Sequence, residues 1–177
     1  MSLSAYSVIN ESLVPMLQSL SAILDKASAY AESKKIDPVV LASARLAPDM
    51  FPLTRQVQIA CDTLKGAAAA LAGEQPKRFE DNEKTLDELK TRIANCIEYV
   101  QSFKAEAYKG AEARQLTVPL INKIVFEADG ATYVKDWLIP HFYFHVVTAY
   151  DILRHNGLEI GKRDYLTHAG KHVHDRA

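Results

Sequence analysis

The sequence predicts an all-α fold, a four-helix bundle whose third and fourth helices are joined by a long crossover holding a short extended arm or hairpin. Three observations carry this. Four stretches place apolar residues at alternating steps of three and four, the repeat of one helix face. The stretch between the third and fourth changes to alternation by two. No linker is long enough to divide the 177 residues, so residues 1–177 are expected to form one domain, with 167–177 a mobile tail.

The first helix is drawn by Tyr6, Ile9, Leu13, Met16, Leu20, Ile23 and Ala27, with Ser4 as its N-cap. Pro15 lies inside this pattern and removes a backbone donor, so a kink is expected there. Asp37-Pro38, a cap followed by a first-turn proline, predicts a short helix. The second long helix is drawn by Met50, Leu53, Val57, Ala60, Leu64, Ala67 and Leu71, opening at Asp49 and ending at Gly73. Its Ala67 to Ala70 run suits a close helix contact. Residues 73–84, with Pro76 and several charges, read as an ordinary surface loop.

The third helix carries Leu86, Leu89, Ile93, Cys96, Val100 and Phe103, and Thr85 with Glu88 has the spacing of a capping box. Residues 114–129 then alternate, through Leu116, Val118 and Leu120 and again through Ile124 and Phe126, with turn residues around Asn122 and at Asp129-Gly130. The fourth helix follows Val134, Trp137, His141, Phe144, Thr148 and Ile152, and closes at Asn156-Gly157 with Arg154 and His155 in its last turn. Pro140 implies that this helix is kinked or begins afresh.

Composition excludes several functions. A formal charge of −1 and a pI near 6.6 offer nothing to nucleic acid or an anionic membrane surface. No apolar run approaches the roughly 18 residues that span a bilayer, and the N-terminus lacks a basic region and cleavage site, so a cytoplasmic protein is expected. Cys61 and Cys96 fall within helices and in no CxxC spacing, and so read as reduced, buried thiols. Nucleotide-binding, serine-hydrolase and zincin motifs have no counterpart in the chain.

One pair of residues carries chemistry. His141 and His145 are one helical turn apart, so two imidazoles there can reach a single ion. With Trp137 at zero, about 100° per residue puts His141 near 40° and His145 near 80°, inside the apolar sector. Thr148 and Ile152 share that sector, while Asp136, Tyr143, Tyr150 and Arg154 lie opposite. An inward histidine is ordinarily a core residue hydrogen-bonded across the bundle; for a stacked pair, a divalent metal is an equal alternative. On the second helix Gln56 is the best-placed polar residue for a third ligand, with an interhelical hydrogen bond as its ordinary role. Gln58 and Asp62 fall outside that sector, and Asn10 and Arg92 flank their own stripes. The tail holds His168, His172 and His174, of which His172 with His174 could bind added metal adventitiously.

The segments LAPDMFPLTRQVQ (46–58), PHFYFHVVTAYDILRHNG (140–157) and LEIGKRDYL (158–166) resemble a bacterial family of unknown function in the DinB/YfiT-like superfamily, whose better-studied members are metal-dependent. The resemblance spans about residues 6–166. It implies a four-helix bundle, often a homodimer, in which a second-helix histidine joins an HxxxH pair on the last helix to hold a divalent metal such as zinc, nickel or iron. His141 and His145 match that pair. The second helix has no histidine, so Gln56, or else Gln58 or Asp62, would take the third position. Some members of the superfamily transfer a low-molecular-weight thiol, so transfer of a thiol substrate, or hydrolysis, is the chemistry a metal here would serve; the resemblance itself assigns no activity to this branch. The alternative is a non-enzymatic dimer with structural histidines.

Overall fold

The computed structural model describes residues 4–120 and 124–174; Asn122, expected in the hairpin turn, lies outside them. Helix α1 opens at Ala5, where the Ser4 hydroxyl accepts from the Ser7 amide at 3.1 Å. It runs through Ala5–Ser7, a π-helical stretch Val8–Leu13, and Val14–Lys34. The π stretch is how the chain accommodates Pro15. The Val14 amide reaches back five residues to Ile9, which widens the turn where the proline ring would otherwise meet a carbonyl four residues earlier. The stripe survives, with Ile9, Leu13, Met16, Leu20, Ile23 and Ala27 all buried.

Helix α2, Pro38–Ser43, follows its Asp37 cap, whose carboxylate accepts from the Val39 amide at 2.9 Å. Helix α3 spans Leu53–Ala72 and starts four residues after the expected Asp49. The reason is Pro52, which occupies the extended N-cap position and pushes the residue before it out of the helical region. Its C-terminus is the expected Gly73, left-handed at φ 80°, donating to the last-turn carbonyls. Ala67, Ala68 and Ala69 are fully buried, as a close helix contact requires. Helix α4, Leu86–Ser102, begins with both halves of the Thr85–Glu88 capping box, a feature that contributes about 1 kcal/mol.

Two 3₁₀ turns, Ala105–Tyr108 and Ala111–Ala113, lead into an antiparallel hairpin. Strand β1, Gln115–Pro119, pairs with β2, Val125–Asp129, with Gln115 opposite Asp129 and Pro119 opposite Val125. Asp129 then caps helix α5, accepting from the Thr132 amide at 2.7 Å. Gly130 sits where a side chain cannot, since a Cβ there would lie 2.0 Å from the Ala111 carbonyl oxygen. Helix α5 comprises Gly130–Tyr133, a second π stretch Val134–Leu138, and Ile139–His155. Again the wide turn precedes a proline: the Ile139 amide reaches back five residues to Val134, just before Pro140. Helix α6, Lys162–Tyr165, and a 3₁₀ turn, Thr167–His172, lie against α1.

The described residues are thus mostly helical with one small two-stranded sheet. Helix α3 packs on α4 and α5, and α1 packs on the same two. Both π stretches touch α3, the helix most fully enclosed. None of the described helices is long and apolar enough to cross a membrane.

Three further expectations need correction. The core face of α5 is Leu138, Phe142, Val146, Ala149, Ile152 and Leu153; of the predicted line Val134, Thr148 and Ile152 are buried, while Phe144 is 59% exposed. The predicted sector is centred at about 40°, whereas Leu138, Phe142, Val146, Ala149 and Leu153 lie about 100° further round the same wheel. The histidines therefore stand at the rim of the apolar sector.

Residues 73–84 are also more than a surface loop. They strap Arg92, whose Nη1 donates to Glu83 at 2.9 Å and to the Glu80 carbonyl at 3.0 Å. Its Nη2 lies 3.0 Å from Asp62 and 2.8 Å from Asp81, as ion pairs without hydrogen-bond alignment. Gln58, expected outside the core, is buried under the same strap and donates to Glu83 at 2.9 Å.

Candidate functional site

The site is assembled where the first turns of α3 meet the middle of α5. His145 projects from α5 and is 7% exposed; Gln56, on the fourth residue of α3, is 2% exposed. The His145 Nδ1 and Gln56 Oε1 atoms are 2.7 Å apart, and the Gln56 amide nitrogen donates to the Phe51 carbonyl at 3.0 Å. One turn earlier on α5, His141 stacks on His145 with ring centroids 4.9 Å apart, tilted by 55°. Its Nδ1 is buried and has no hydrogen-bond partner among the described residues.

An aromatic run closes the outer side. Trp137 meets His141 edge-on at 4.8 Å, and Phe126 of β2 packs on Trp137 at 5.6 Å. The crossover hairpin thereby reaches the site through one side chain. Phe144 stands edge-on to His145 at 5.2 Å, with much of its ring in solvent.

Electrostatics favour neutral rings. Burial, then the neighbouring His141, then the Arg55 guanidinium push His145 down from its ordinary 6.5 to about 4. Burial also lowers His141. At neutral pH both rings therefore keep a lone pair without giving up a proton, the condition a histidine must meet to hold a metal.

Those features fit two imidazole ligands. They do not fit the three-histidine set that the resemblance implies: no three His, Cys, Asp or Glu side chains come together among the described residues. Gln56 meets His145 through its carbonyl oxygen, the one good ligating atom glutamine has. Gln58 and Asp62 point instead to the Arg92 cluster. Asn10 bonds the Tyr6 carbonyl on its own helix, and His155 is exposed at the end of α5. Arg92 serves the strap, where a groove of about 720 Å³ runs between residues 77–83 and α4, lined by neither histidine.

Sequence reasoning missed the Phe51 carbonyl and the Phe126–Trp137 contact. The first had a signal in Phe51-Pro52, since the residue before a proline is turned out of the helix. The second links strand to helix and leaves no trace in local periodicity.

No curated protein matches the chain. A crystal structure of a DinB family member protein from Shewanella denitrificans is similar over 91% of this chain and 90% of that one, at 43% identity and a TM-score of 0.84. A family model described as a domain of unknown function, DUF1993, matches residues 5–166, taking in the whole of α1 to α5 and the histidine pair. With that match covering nearly the full length, and a DinB-like neighbour sharing its fold, the chain belongs to the DUF1993 family.

Proposed function

We propose that this protein is a DinB-like four-helix bundle, formed by α1, α3, α4 and α5, in which His141 and His145 hold a divalent cation, zinc, nickel or iron, in an open site. The observation that carries the reading is the buried His141 Nδ1, which lacks a hydrogen-bond partner among the described residues and lies beside a second neutral imidazole. A buried polar atom without a partner costs about 1–3 kcal/mol, and a ligand at that atom removes the cost. A bound divalent ion supplies Lewis acidity, which lowers the pKa of a coordinated thiol or water, the chemistry of thiol transfer or hydrolysis.

The chain's own residues prepare the place. Trp137 and Phe126 keep water from one side of the rings, and burial holds both imidazoles in the neutral form that can ligate a cation. Two protein ligands leave positions for water and a small substrate. In the full chain carrying His172→Ala and His174→Ala, which clears adventitious tail binding, zinc is expected to bind at one equivalent by titration calorimetry. His141→Ala and His145→Ala should each abolish that binding; unchanged uptake in either variant defeats the proposal.

A second reading is favoured by the apolar side chains around the same site. Phe51 is 56% exposed, Phe144 59% and Val147 40%. In this reading the protein is a non-enzymatic homodimer that buries this face, and its histidines are structural. Sedimentation at micromolar concentration decides it: a dimer broken by Phe144→Ser supports the reading, and a monomer rejects it.

A further inference from the structure

We propose that Gln56 is a positioning residue that fixes the proton of His145 on Nδ1 and presents its Nε2 as the atom that meets a ligand. The inference rests on the metal reading for the ligand, a divalent cation, but not for the proton. The relay starts at Phe51. A backbone carbonyl can only accept, so the group 3.0 Å from it must be the amide nitrogen of Gln56. A reversed amide would set two oxygens against each other there. The other end, facing His145 Nδ1 at 2.7 Å, is then the carbonyl oxygen, which also can only accept. The hydrogen between them therefore belongs to the imidazole.

With His145 neutral, a proton on Nδ1 leaves the lone pair on Nε2. The chain builds this relay from local rules. Pro52 turns Phe51 out of α3, and side chains in a helix lean towards its N-terminus, so Gln56, four residues into α3, folds back onto the Phe51 carbonyl. Its oxygen is left pointing across to α5. Metal-binding histidines ordinarily have their second ring nitrogen held by a carbonyl or carboxylate, and removing that partner weakens the metal about 10- to 100-fold. Here the second helix supplies the orienting group, and the ligand comes from α5.

Ring ¹⁵N NMR of the full chain at neutral pH and without metal tests the proposal directly. Wild-type His145 is expected as the Nδ1–H tautomer, opposite to the Nε2–H form that imidazoles favour in water. Gln56→Leu should move it towards Nε2–H and weaken zinc binding about 10- to 100-fold. Gln56→Met, which keeps the length of the side chain and removes the carbonyl oxygen, should shift the tautomer in the same direction and serves should the leucine variant not fold. A wild-type Nε2–H tautomer overturns the proposal, as does an Nδ1–H tautomer that survives Gln56→Leu. If neither wild type nor variant binds zinc while the tautomer shifts as expected, the positioning role stands and the metal reading alone falls.

Discussion

A neutral imidazole held against another neutral imidazole is sensitive to acid in a definite direction. The folded value of His145, about 4, lies below its ordinary 6.5, so the unfolded chain takes up the proton first. The stabilising contribution is complete above pH 6.5 and is lost as pH falls through about 4, a loss on the order of 3 kcal/mol. Urea unfolding at pH 7 and pH 4 should therefore show wild type losing about that much more stability than His145→Gln. Equal losses would mean that the ring is not held neutral. At this scale the sequence displayed the histidines and the one candidate partner, Gln56. It could not display their contact, because the two residues are 89 positions apart and meet only when α3 packs on α5.

Among the elements, the segment between α3 and α4 shows what charge does when it is folded under cover. Arg92 has a side chain only 1% exposed and faces Asp62, Asp81 and Glu83. Removing the guanidinium leaves the largely buried Glu83 without its counter-charge, while Asp62 keeps Lys65 and Asp81 keeps Arg55, so Arg92→Met should cost about 3 kcal/mol. It should also open residues 74–84 to limited proteolysis; a strap that resists cleavage in the variant would show that Arg92 does not hold it. The helix stripes, the capping box and the Asp37-Pro38 start were legible because each is set by neighbours within a turn or two. The strap was not, since a charged loop on the surface and one folded over a buried arginine have the same composition.

For the molecule as a whole, the core thiols report on global unfolding. Cys61 and Cys96 are fully buried on adjacent helices, with the Cys96 thiol 3.3 Å from the Cys61 carbonyl. Contact with Cys96 and then burial hold the Cys61 thiol well above its usual range. A thiol reagent at neutral pH should label both cysteines together, at a rate that follows the unfolding equilibrium measured in urea. Labelling of one cysteine ahead of the other would reveal a local opening of α3 or α4. The all-helical character and the extended crossover were legible at this scale, because burial of a continuous stripe is a property of the whole chain. The rim position of the histidines was not. Local periodicity offers two overlapping apolar arcs on α5, and only its packing on α3 selects between them. The π turn Val134–Leu138 amounts to one extra residue let into α5. In evolutionary terms such a turn behaves as a single-residue insertion: a relative lacking it would match α5 only after a one-position gap ahead of Pro140. Equivalent histidines in distant relatives should therefore be found by counting back from the Asn156-Gly157 end of the helix, where the frame is unbroken.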